Sequence, residues 1–129
     1  MDNLFIAATP SSPEVDFQFD QHRLSLRGES YPENAAAFYG DIIEQLRQYL
    51  ATCHRQRIDL HIALAYFNSS STKMLFNIIE ALNHAVEAGN AVVVHWLHDE
   101  DDDTMLEFGQ DLGADFPAIE FITQAVTSG

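Results

Sequence analysis

Apolar and polar residues alternate in two short segments near the start of the chain. In residues 14–19 (EVDFQF), Val15, Phe17 and Phe19 fall on one face of an extended backbone, and Glu14, Asp16 and Gln18 on the other. After a turn at Asp20-Gln21, residues 22–27 (HRLSLR) alternate again through Leu24 and Leu26. The two segments predict a hairpin with one buried and one wet face. A shorter apolar run, residues 3–8 (NLFIAA), predicts a preceding strand that stops at Thr9-Pro10-Ser11-Ser12-Pro13. Gly28 reads as the end of the hairpin's pattern.

The period then changes. Ser30-Tyr31-Pro32-Glu33 has the form of a capping box, with a hydroxyl at the cap, a carboxylate three residues on and proline in the first turn. It predicts a helix to about Cys53, with Phe38, Ile42, Leu46, Tyr49, Leu50 and Cys53 as its apolar stripe. Residues 57–66 (RIDLHIALAY) return to strand alternation, with Ile58, Leu60, Ile62 and Leu64 on one face. Ala63 and Ala65 make the other face apolar late, so the second half of this strand is expected to be covered on both sides. A helix from about Ser71 to Ala88 follows, burying Leu75, Ile78, Ile79, Leu82 and Val86 and ending at Gly89-Asn90. Residues 91–98 (AVVVHWLH) form a nearly continuous apolar strand suited to the middle of a parallel sheet. Thr104-x-x-Glu107 is a second capping box, opening a helix to about Gly113, and a last strand is expected over 118–126.

The resulting order, β-β-β-α-β-α-β-α-β, predicts an α/β fold: a mixed β-sheet with an N-terminal hairpin, its helices laid on by right-handed crossovers. The length of 129 residues fits a single domain over residues 1–129, large enough to bury a core without staples.

Charge narrows the partners. Twenty acidic and six basic residues give a formal net charge of −14, and beyond Lys73 there is no Lys or Arg while eleven Asp and Glu remain. Such a surface repels phosphate backbones and anionic lipid, so neither nucleic acid nor membrane is expected as a partner, and a basic protein face would be steered in quickly. No stretch approaches a membrane span, the N-terminus lacks a basic signal-peptide region, and the lone Cys53 has no intrachain mate. These features fit a cytoplasmic protein.

Candidate chemistry is thin except at one place. The acidic run Asp99-Glu100-Asp101-Asp102-Asp103 lacks the glycine and ligand spacing of a calcium loop, and there is no His-x-x-x-His or CxxC. It reads as solvated charge at a helix start, so no metal is expected. His61 and His95 are placed on adjacent central strands in structural roles. No GxGxxG or GxxxxGK[ST] handle for a nucleotide is present, and no cofactor is expected. The strand–turn–helix junction Asn68-Ser69-Ser70-Ser71-Thr72-Lys73 stands where a nucleophile elbow would, but it lacks the flanking glycines. One hydroxyl there suffices as a helix cap, and Ser70 or Ser71 is expected to fill that role. Ser69 then lies just before the helix, at the carboxyl edge of a strand where α/β proteins gather binding sites. A phosphate on it would meet the positive end of a helix. Lys73, the only lysine, is placed in the first helical turn, where a cation opposes the helix dipole.

The segments Gly28–Tyr39 (GESYPENAAAFY) and Tyr66–Lys73 (YFNSSSTK) resemble those of the SiaC-type bacterial regulators, small proteins with a fold like the anti-sigma-factor antagonist (STAS) domain. The resemblance covers nearly the whole chain. It implies a non-catalytic switch: a partner kinase phosphorylates the junction, a PP2C-like phosphatase clears it, and the unphosphorylated form binds and activates a diguanylate cyclase, which makes cyclic di-GMP and so regulates biofilm formation. The acceptor position falls on Ser69, where the family pattern has Thr, with Ser70 and Ser71 as adjacent alternatives. Asn68, Ser69, Ser70, Ser71, Lys73, Tyr31, Glu33 and Asn34 are the expected partner-binding residues. The alternative is an anti-sigma-factor antagonist in a partner-switching pathway.

Overall fold

The computed structural model describes residues 2–127. Its elements follow the predicted order: β1 (Leu4–Ile6), β2 (Glu14–Gln18), a 3-10 turn (Phe19–Gln21), β3 (Arg23–Ser30), α1 (Ala35–Ala51), β4 (Arg57–Phe67), α2 (Ser69–Glu87), β5 (Ala91–Asp99), α3 (Asp103–Asp115) and β6 (Glu120–Val126). The six strands form one sheet in sequential order. β1, β2 and β3 pair antiparallel, and β3 through β6 pair parallel.

This order decides where the helices lie. Each of the three crossovers steps one strand in the same direction. A right-handed crossover repeated in one direction always returns on the same side. α1, α2 and α3 therefore share one face, and the other face of the sheet is open. Burial follows this. Ile58, Leu60, Ile62 and Leu64 of β4 are buried under the helices, whereas Asp59, His61 and Ala63 are half-buried and Ala65 is exposed. The expectation that the second half of β4 is covered on both sides is thus corrected: Ala63 and Ala65 sit on a sheet face that no helix among the described residues covers.

The core lies between sheet and helices, with Phe17, Leu24, Leu26, Leu46, Leu75 and Trp96 fully buried. Buried Asn90 ties the ends of α1 and α2 to the sheet: its Nδ2 donates to the carbonyls of Ala85 (3.0 Å) and Cys53 (3.3 Å), and its Oδ1 accepts from the Gln56 N–H (3.0 Å). Gly89 before it has φ +103°, the helix-ending conformation expected there.

The end of β3 and the bounds of α3 differ from the sequence pattern for identifiable reasons. β3 does not stop at Gly28. It continues to Ser30 through a register shift between Gly28 and Glu29, with Gly28 at φ +120°. A bulge with glycine in a backbone conformation open to it carries the strand onward rather than ending it. α3 is capped not by Thr104 but by Asp102, whose Oδ1 accepts from the Met105 N–H at 3.0 Å. The helix consequently begins at Asp103, and it runs past Gly113 to Asp115.

α3 lies unusually close to the sheet. The Trp96 indole N–H donates to the Met105 carbonyl at 2.9 Å, and Gly109 rests on the indole ring, so that a Cβ there would stand 2.4 Å from Trp96 Cδ1. Gly109→Ala is expected to destabilise the fold. Overpacking costs about 1–3 kcal/mol, against a helix-propensity gain of about 1 kcal/mol. A lowered urea midpoint with a shifted Trp96 emission checks this, and unchanged values would contradict it.

Candidate functional site at the β4–α2 junction

The junction Asn68–Lys73 follows the last strand residue of β4 and opens α2. Its cap is Asn68, not Ser70 or Ser71. The Asn68 Oδ1 accepts from the Ser71 N–H at 3.0 Å, and the Asn68 carbonyl accepts from the backbone N–H of Thr72 at 3.1 Å and from its hydroxyl at 3.2 Å. Asparagine is as good a cap as serine, and here it stands two or three positions nearer the strand than the expected serines. The helix consequently starts at Ser69 instead of about Ser71.

This shift separates the three serines. Ser69 and Ser70 occupy the first two helical positions and are exposed, while Ser71 is fully buried. Among the described residues the hydroxyls of Ser69 and Ser70 have no side-chain partner. Ser71 belongs to a closed relay reaching across to β3. Its hydroxyl donates to the Ser30 carbonyl (2.9 Å), and Ser30 Oγ donates to Ser71 Oγ (2.8 Å). With that proton committed, the Tyr39 hydroxyl on α1 donates to Ser30 Oγ at 2.5 Å. The Ser30 carbonyl also accepts the Asn68 N–H at 3.1 Å. Burial raises the Tyr39 pKa above its ordinary value, opposed in part by the neighbouring Ser30 and Ser71 hydroxyls.

Ser30 is therefore not a helix cap. It is the last residue of β3, completely buried, and the cap of α1 is Asn34, whose Oδ1 accepts from the Ala37 N–H at 3.1 Å. The Ser30–Glu33 pattern matched a capping box, but its hydroxyl is spent on partners 9 and 41 residues away. The relay was the feature local pattern missed. Tyr39, three residues before Ile42 and seven before Leu46 on the buried stripe, was the available signal for its tyrosine.

The remaining residues expected at the site do converge. Glu33, Asn34, Ser70 and Lys73 line a cleft of about 300 Å³ between the starts of α1 and α2, with Met74 among its apolar walls. Tyr31 and Tyr66 stand beside the junction with rings edge to face at 5.8 Å, 39% and 51% exposed. On the other flank, Tyr66, Phe67, Thr72, Asp102 and Phe108 line a second depression of about 350 Å³. Lys73 is the fifth residue of α2, beyond the first turn, so the conflict with the helix dipole expected for it largely lapses. From there it is one turn from Ser69 on the same side of the helix.

The other candidates fall elsewhere. His61 and His95 are cross-strand neighbours, as expected, with rings stacked at 4.2 Å on the open sheet face. His95 Nε2 stands 3.3 Å from Asp59 Oδ1. Burial, then the neighbouring His95 and Arg23, hold the His61 pKa below its ordinary value. Asp102 of the acidic run is a cap, and Asp99 Oδ1 accepts from the Asp101 N–H at 2.9 Å. Among the described residues no group of three or more His, Cys, Asp or Glu is placed to hold a metal ion, and no helix is long and apolar enough to cross a membrane.

The junction thus presents an exposed hydroxyl at a helix start, backed by a buried polar relay and flanked by aromatic and charged clefts, on a single-sheet α/β fold. Comparison with known proteins places the fold in a family. Residues 6–126 match the family model described as SiaC family regulatory phosphoprotein, and the chain belongs to that family. It is 31% identical over 115 residues to an uncharacterized protein of Pseudomonas aeruginosa strain UCBPP-PA14, covering 89% of this chain and 90% of that one. The crystal structure of apo-SiaC from Pseudomonas aeruginosa superposes with a TM-score of 0.88 at 30% identity, over 97% of this chain and 100% of that one. A chain of the crystal structure of the diguanylate cyclase SiaD in complex with its activator SiaC, from the same organism, matches equally well. Its TM-score is 0.88 at 30% identity, over 95% of this chain and 99% of that chain.

Proposed function

We propose that this chain is a cytoplasmic, non-catalytic switch whose unphosphorylated form binds and activates a diguanylate cyclase, under control of phosphorylation at Ser69 by a kinase and dephosphorylation by a PP2C-like phosphatase. The observation that carries the choice of residue is the division of the serines. Ser69 and Ser70 are open to an incoming kinase, and Ser71 is fully buried. Between the two open ones, Ser69 stands first in the helix, where a phosphate gains most from the helix's positive end, and Lys73 is one turn away to reach back to it. Ser70 instead lines the cleft between α1 and α2. Asn68, Tyr31, Glu33 and Asn34 complete the docking surface around the hydroxyl. The domain supplies no reacting group of its own in this reading: it is a phosphate acceptor and a ligand for another protein.

The likeness to the activator in the SiaD complex supports a cyclase as the partner, in preference to the kinase of a sigma-factor pathway. Mass spectrometry of the chain after incubation with its proposed partner kinase tests the site. A phosphate on Ser69 is expected. Phosphate confined to residues outside 69–72, or found on Ser71 in the folded protein, would overturn the assignment.

A further inference from the structure

The sheet has two edges, and they are built differently. β1 has three residues and is followed by Pro10 and Pro13, which cut short any pairing along it. β6 has seven residues, and all but the half-buried Phe121 are exposed. After Glu120 it reads Phe-Ile-Thr-Gln-Ala-Val, without a charge, a proline or a glycine. Natural edge strands are ordinarily blunted by lysine, proline, a bulge or a covering loop, and residues 121–126 carry none of the sequence devices. The flank of α3 above this edge carries no charge between Asp103, at the helix start, and Gly113. Gly113 sits over Phe121, where a Cβ would stand 3.2 Å from Phe121 Cβ. Gln110 and Leu106, three and seven residues before Gly113, lie on the same stripe of the helix. A neutral strip therefore runs along one side of a chain whose residues after Lys73 include eleven acids and no Lys or Arg.

We propose that β6 is a self-association edge: two copies pair β6 to β6, antiparallel, about a two-fold axis through Thr123, joining two sheets into one. The register follows from the strand itself. Directly opposed residues in an antiparallel pair point to the same face, so a two-fold axis must pass through a residue, and Thr123 is the centre that gives every residue from Glu120 to Val126 a mate. Thr123 then meets Thr123, a favourable cross-strand pair. Phe121 meets Ala125, large against small, and Ile122 meets Gln124. Glu120 meets Val126, so no carboxylate faces another across the strands. This self-complementarity singles out a second copy rather than a foreign strand as the occupant.

Sedimentation velocity of the purified full chain tests the proposal, with no other protein present, so its outcome is independent of the switch. The expected result is a species of twice the 14.5 kDa chain mass at high micromolar concentration. Added salt should strengthen the association, because two copies of net charge −14 repel. Thr123→Lys sets two ammonium groups against each other on the axis and is expected to weaken association at least about tenfold, whereas Thr123→Val preserves it. Hydrogen exchange of wild-type amides 121–126 should slow as concentration rises. A chain of 14.5 kDa at every concentration, a Thr123→Lys variant that associates like the wild type, or exchange in β6 indifferent to concentration would each overturn the proposal.

Discussion

Ser71→Asp is expected to destabilise the protein by about 3 kcal/mol or more, while Ser69→Asp leaves stability unchanged or raises it slightly. The two residues are two positions apart and both are serines, yet their surroundings are opposite. Ser71 is fully buried, and its hydroxyl is committed to Ser30 in both directions, as donor to the carbonyl and acceptor from Oγ. A carboxylate in its place is acceptor-only. It faces the Ser30 carbonyl with no proton to offer and has no cation among the relay's members. The carbonyl loses a donor, and a charge is left in a site built for neutral groups. At Ser69 the same carboxylate is solvated and lies in the first turn of α2, where it gains a few tenths of a kcal/mol from the helix dipole. Thermal unfolding reads the difference directly: for a domain of this size a loss of about 3 kcal/mol lowers the midpoint by roughly 10 °C. Equal midpoints for the two variants would mean that Ser71 is not held as described.

The second large effect falls on binding. Phosphate on Ser69 is expected to weaken the complex with the cyclase at least about tenfold, equivalent to about 1.4 kcal/mol. A phosphoserine adds about −1.5 to −2 charges at neutral pH. In the free protein that charge is accommodated by water, the first N–H groups of α2 and the ammonium of Lys73. Within the proposed docking surface, beside the rings of Tyr31 and Tyr66, it would have to be stripped of water. The desolvation penalty of a dianion is recovered only if the partner supplies well-placed cations. Binding of the modified and unmodified chain by isothermal titration measures the ratio, and Lys73→Ala should make the modified chain's free state less stable without altering the unmodified complex by more than a few-fold.

Much of this arrangement could be read from periodicity. The alternation through Val15, Phe17, Leu24 and Leu26 gave the hairpin, and the stripe Leu75–Ile78–Ile79–Leu82 gave α2, because both depend on local spacing against a single buried face. What was not legible depended on residues distant in sequence. The Ser30 hydroxyl looked like a cap because its real partners, Tyr39 and Ser71, are brought to it only when β3 and β4 pair in register and α1 folds over them. The cap of α2 was misplaced for a related reason. Four consecutive polar side chains can all cap in principle, and the one that does is set by where β4 ends. The open face behind Ala63 and Ala65 was hidden too, since the side on which the helices lie follows from strand order, which no single segment encodes. At the junction, Ser70 and Ser71, the two serines open to the capping role, part company: Ser70 is exposed beside the α1–α2 cleft and Ser71 anchors the buried relay.

Control of a diguanylate cyclase by the Ser69 hydroxyl, as proposed, is read from cyclic di-GMP synthesis by the partner cyclase, with the chain added unmodified and with stoichiometric phosphate on Ser69. Stimulation by the unmodified chain is expected, with at least about a tenfold higher concentration required of the phosphorylated one. Equal stimulation by both forms, or none by either at concentrations where the two proteins co-sediment, would contradict it.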